Sequence, residues 1–123
     1  MIRYLLITIS LFFVTTPALA ADQAQLIRGE YIFHLSGCKS CHTDTKKKGK
    51  LLAGGAGLKT PFGTFYGPNI TPDKTHGIGK WSEKDFIQAL RVGISPSGGH
   101  YFPVFPYTTF TKMTDQDMKD LRA

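Results

Sequence analysis

The chain has 123 residues, with 15 Lys and Arg against 9 Asp and Glu and a net charge of +6. That length allows one domain with a modest core, and the positive excess suits an acidic protein partner or an anionic surface. The basic residues neither follow one helix nor alternate with aromatics, which argues against nucleic acid as a partner.

In chain order, the first segment reads as a leader. Arg3 supplies a positive start, Leu5 to Val14 is apolar, and Pro17 precedes the small-residue pattern Ala18-Leu19-Ala20. This layout predicts a secretory signal peptide over residues 1–20, cleaved after Ala20. The apolar run falls short of the ~20 residues that a bilayer-spanning helix needs, so the mature chain is expected to have no membrane span. No Cys lies near the cut, so a bacterial lipid anchor is not indicated. The expected mature domain is 21–123, periplasmic, with the net charge lowered by the one unit of Arg3.

Gln23 to Gly37 reads as a first helix, because Ile27, Tyr31 and Leu35 recur at helical spacing and Leu26 and Phe33 widen the apolar stripe. Gly37 fits its stop. From Asp44 to Gly79 the chain is rich in Gly, Pro, Lys and Thr without period, and is expected to be a long ordered loop. Ser82 to Val92 predicts a second helix, with Ser82 and Asp85 in a capping-box pattern, Phe86, Ala89 and Leu90 on one face, and Gly93 as the stop. A second loop, Ile94 to Lys112, is dominated by Gly, Pro and aromatics. Thr114 then reads as the N-cap of a last helix, with Asp115 and Asp117 in its first turn, Lys119 and Arg122 near its end, and Met118 and Leu121 facing inward. No strands and no repeats are expected, so the fold class is all-α.

The only 2 Cys fall inside one stretch, Cys38-Lys39-Ser40-Cys41-His42. In an exported protein two Cys would ordinarily indicate a disulfide. Here the spacing is C-x-x-C-H, the attachment signature of haem c. Positions three and four apart lie on one helix face, so both thiols can meet the vinyl groups along one porphyrin edge while His42 brings its imidazole to the iron. A thiol–disulfide C-x-x-C normally sits in a βαβ context, and a structural zinc site wants four ligands. Neither setting is present, and His34, His76 and His100 are scattered. Gly54, Gly55 and Gly57 form no phosphate-binding fingerprint, since no strand precedes them and no helix follows.

Gly29-Glu30-Tyr31 leading to the C-x-x-C-H motif, together with Thr60–Asp73, Gly77–Ser95 and His100–Met118, resembles the cytochrome c subunits of bacterial periplasmic dehydrogenases for alcohols and gluconate. The resemblance covers nearly all of the mature chain. It implies a cytochrome c-like fold, a few helices and long loops wrapped round one covalent haem, with the first and last helices packed together. It also implies that Cys38 and Cys41 hold the haem covalently and that His42 is an axial ligand. Many of these subunits place a Met before Pro-Tyr as the distal ligand, where this chain has Phe105-Pro106-Tyr107. Variants with this Phe keep a Met just before the Thr-Asp of the last helix, which makes Met113 the candidate second axial ligand; His100, Met118 or an open iron are the alternatives. In the family the last helix runs on past the position of Ala123, so the resemblance implies a shortened last helix here.

Other residues keep two readings. Lys46, Lys47, Lys48 and Lys50 form either a docking patch or a solvated loop. Trp81, Asn69 and Thr71 are candidates to approach a haem propionate. Pro61 or Pro68 can offer a carbonyl to the second nitrogen of His42, and Tyr101, Phe102, Phe105, Tyr107 and Phe110 suit the walls of a haem pocket. The expected function is periplasmic electron transfer, as a soluble carrier or as the electron-transfer subunit of a dehydrogenase, with no substrate chemistry of its own. Its expected partner is a redox protein such as a dehydrogenase or terminal oxidase. The alternative is a haem c protein whose open distal site binds a small ligand, as a sensor or peroxidase-like protein.

Overall fold

A computed structural model describes residues 17–123; the expected leader lies outside the described residues except for its last four positions. Four α-helices carry the fold: α1 (Pro17–Ser36), α2 (Cys38–His42), α3 (Glu83–Val92) and α4 (Asp115–Arg122). A short 3₁₀ turn occupies Tyr107–Thr109. No described helix is long and apolar enough to cross a membrane.

α1 begins earlier than Gln23, at a proline, which is well tolerated in the first turn. It ends where Gly37 turns left-handed at φ 69°. The stripe that marks α1 as helical does not pack against the domain: Ile27, Tyr31 and Leu35 are 60%, 66% and 69% exposed. A different face, bearing Gln25, Arg28 and Gly29, meets α4. A Cβ on Gly29 would collide with the Asp120 carbonyl, so the two backbones lie closer than interdigitating apolar side chains allow. Around this contact Arg28 Nε donates to Asp120 Oδ2 at 2.6 Å and Gln25 Nε2 reaches the Lys119 carbonyl at 3.5 Å. Asp120 is 2% exposed, and its bond to Arg28 holds its carboxyl below the usual carboxylate range.

The all-α expectation needs correction, because the 44–79 segment contains an antiparallel hairpin. β1 (Gly57–Thr60) pairs with β2 (Gly63–Tyr66) in the register Gly57↔Tyr66, Leu58↔Phe65, Lys59↔Thr64 and Thr60↔Gly63. Pro61 presets the turn, and Thr60 Oγ1 closes it by donating to the Gly63 carbonyl at 2.9 Å. Each strand is only 4 residues long with Gly at its outer or inner end, so the alternation that betrays a strand is nearly absent.

α3 and α4 form as the sequence predicts. Ser82 and Asp85 make a complete capping box, Gly93 stops α3 at φ 68°, and Thr114 with Asp117 makes the matching box on α4. Ala89, Leu90 and Met118, at 4%, 8% and 0% exposure, are the buried apolar side chains among the described residues. The core therefore sits at the α3–α4 contact. Most other large apolar side chains are only half-buried.

Candidate haem-binding site

The turn that carries the chemistry is α2, launched directly from the left-handed Gly37. Ser40 secures it by donating from Oγ to the Gly37 carbonyl at 2.7 Å. Cys38 and Cys41 are half-buried and not joined in a disulfide. Burial pushes the Cys38 thiol up from its ordinary pKa. Among the described residues no three His, Cys, Asp or Glu side chains converge.

His42 is oriented by the segment that follows. Its Nδ1 lies 2.8 Å from the Pro68 carbonyl. A carbonyl can only accept, so Nδ1 carries the proton and Nε2 keeps its lone pair for a metal. Of the two prolines weighed from sequence, Pro68 is the one bonded to His42.

The loop reaches this position because it lies against the backbone of α2. The His42 carbonyl accepts from Gly54 N at 2.8 Å, and Gly67 exchanges bonds with Gly55 and Ala56 at 2.9 and 3.1 Å. A Cβ on Gly67 would run into the Cys41 carbonyl. Only glycine lets the chain pass that close and deliver the next residue, Pro68, to the imidazole. Thr43, 6% exposed, ties in the same loop by accepting from Leu52 N through its hydroxyl at 3.0 Å.

The distal candidates lie in different surroundings. Met118 is wholly buried in α4, with its sulfur 3.8 Å from Arg91 Nη2. His100 is exposed, its backbone bridged to Ile94. Met113 is half-buried and lines a groove of about 500 Å³ with Ile32, Leu35 and Ser36 of α1, just before Cys38, and with Phe110. Phe105 is packed in an aromatic cluster: its ring lies 5.6 Å from Tyr101, 6.3 Å from Tyr107 and 6.1 Å from Phe110. Burial also pushes the Tyr101 hydroxyl up.

The other residues named from the sequence also make contacts of their own. Asn69 Oδ1 is occupied by Thr71, accepting from its N at 2.8 Å and its hydroxyl at 2.7 Å. The Trp81 carbonyl accepts from Arg122 at 2.7 Å. Phe102 is 48% exposed and stacks on Phe65 of β2 at 4.5 Å. The lysines after the motif are exposed, with Lys47 3.7 Å from Asp44. Arg91 gives no signal in the sequence, where it reads as an ordinary cation at a helix C-terminus. In the fold it donates to the Met113 carbonyl at 2.9 Å.

The donor set suits a haem: two unpaired thiols on one turn, followed by an imidazole with its tautomer set. Helices and loops gathered about such a turn define a haem-attachment domain of the small electron-carrier class. The chain belongs to the cytochrome c family, whose model matches residues 26–123, and that membership supports haem-based electron transfer. It is 50% identical over 99 residues to a diheme cytochrome c-type protein of Cereibacter sphaeroides, covering 78% of this chain and 33% of that one. It is 45% identical over 103 residues to the cytochrome c subunit of a quinone alcohol dehydrogenase from Gluconobacter oxydans, covering 84% and 21%. Against the gluconate 2-dehydrogenase cytochrome c subunit of Pantoea cypripedii it is 45% identical over 109 residues, covering 86% and 24%. The chain thus spans about a fifth to a third of the length of these relatives.

Proposed function

We propose that this chain carries one haem c and passes single electrons in the periplasm, as a soluble carrier or as the electron-transfer subunit of a dehydrogenase. Cys38 and Cys41 would hold the haem through thioethers, His42 Nε2 would be one axial ligand and Met113 the other. When bound, the haem supplies one-electron chemistry between ferrous and ferric iron. The protein performs no substrate chemistry of its own.

The observation that carries this reading is the 2.8 Å bond from His42 Nδ1 to the Pro68 carbonyl. It fixes the orientation of the ring on the turn that bears both thiols, as partners of metal-bound histidines do. A thioether opposite it raises the reduction potential and closes the iron to outside ligands, which suits electron transfer rather than ligand sensing. The subunit names of the relatives support a dehydrogenase as partner. The leader pattern supports export with cleavage after Ala20.

Intact-mass measurement of the mature polypeptide from its host tests the core of this reading. The expected mass is that of a chain beginning at Ala21 plus one haem. A polypeptide without added haem overturns it. For the distal side, the ferric protein should show the charge-transfer absorption band of methionine–iron coordination, and Met113→Ala should abolish it.

A further inference from the structure

Met113 sits where a long loop enters α4, and its main chain is clamped from both directions. Its N–H donates to the Phe110 carbonyl at 3.0 Å, and the next residue, Thr114, is locked by its capping box with Asp117. Its carbonyl is taken from a distance of 22 residues by Arg91, at the end of α3. The same guanidinium grips Asp115 through Nη1 at 2.6 Å and brings Nη2 to 3.8 Å from the Met118 sulfur.

That placement is unusual on two counts. A cation beside the N-terminus of α4 opposes the helix dipole, which favours anions there. Arg91 Nε is also buried without a hydrogen-bond partner. The two terminal nitrogens of Arg91 are nonetheless both engaged by acceptors around Met113, on a side chain that is 35% exposed. The two helices have other ties at their far ends, Lys119 to Glu83 at 3.2 Å and Arg122 to the Trp81 carbonyl at 2.7 Å. Arg91 is thus one of several ties along α4, and its contacts converge on one short segment, 113–118.

We propose that Arg91 is the positioning residue for Met113: its fork, spread between the Met113 carbonyl and the Asp115 carboxylate, aims the methionine side chain. This deepens the proposed function and rests on Met113 as the second axial ligand. A neutral thioether holds iron weakly, so its retention depends on how little freedom the segment bearing it has. Arginine suits the task because two of its nitrogens reach two acceptors at once in a fixed plane.

The test uses haem-loaded protein bearing Arg91→Gln, Asp115→Asn or Arg91→Lys, compared with Met113→Ala. Arg91→Gln should keep its covalent haem and helical circular dichroism. It should lose the methionine–iron band at temperatures well below global unfolding, and its ferrous form should bind carbon monoxide about tenfold faster, the factor expected for loss of one hydrogen bond to a charged group. Asp115→Asn should move both readouts the same way by less. Arg91→Lys should restore part of the effect, since one ammonium cannot hold both acceptors. If Met113→Ala abolishes the band while Arg91→Gln only lowers the unfolding temperature, leaving the band and the carbon monoxide rate intact, Arg91 is merely structural and this inference fails alone. A band that survives Met113→Ala sinks the axial assignment and this inference together. Should Arg91→Gln fail to mature, Asp115→Asn and Arg91→Lys separate the same two outcomes through the same band and rate.

Discussion

The two sides of the proposed site are built in opposite ways. On the side of His42, everything decisive is close at hand: the thiols and imidazole share one turn, and the loop that orients the ring stays within the next 26 residues. On the side of Met113, the residue is held by a partner from another helix, and the long loop before it is filled with aromatics packed on one another. A covalent attachment point tolerates no ambiguity, and a local motif supplies that. A weak, exchangeable ligand depends instead on tertiary restraint. Damage on the first side should therefore prevent the site from forming, while damage on the second should leave it formed but altered.

Replacing both Cys38 and Cys41 with Ala should have the largest effect, complete loss of covalently bound haem by intact mass and denaturing-gel haem stain. Retained covalent haem would break the contrast outright. Next, Gly67→Ala forces a methyl into the Cys41 carbonyl. It should cost about 3 kcal/mol and sharply lower the yield of haem-loaded protein, read by denaturant unfolding and absorbance. A well-loaded, stable Gly67→Ala protein would show that the close approach is dispensable.

The Arg28–Asp120 pair sharpens the comparison through pH. The Asp120 pKa is lower in the folded chain than in the unfolded one, so the stability it contributes is present above the unfolded value of about 3.9 and disappears as pH falls through the folded value. Acid unfolding of the wild type should show this loss, and Asp120→Asn should be less stable at neutral pH with a flatter acid dependence. An acid profile unchanged by the substitution would show that the pair does not set it. The smallest effect is expected at Thr114→Ala, about 1 kcal/mol for the lost cap, measured by thermal unfolding. Because Thr114 follows Met113, it should also weaken the methionine–iron band while the quantity of covalent haem stays constant.

The sequence alone determined the features governed by short separations. Cys38, Cys41 and His42 stand out as candidates because helical spacing places them together on one turn. Ser82, Gly93 and Thr114 mark helix ends because caps act within one turn. Tertiary structure decided what depends on distant backbones. The apolar stripe of α1 established a helix but not its buried side, since Gly29 and the Arg28–Asp120 pair outweigh Ile27, Tyr31 and Leu35 in setting the contact with α4. The hairpin at 57–66 was illegible because strands so short are stabilised by their pairing rather than by periodicity. Pro68 could be chosen over Pro61 only once Gly67 had brought the chain onto Cys41. Arg91 acquires a partner at Met113 only when α3 and α4 dock, because the direction of a side chain across 22 residues is a property of packing and not of local spacing.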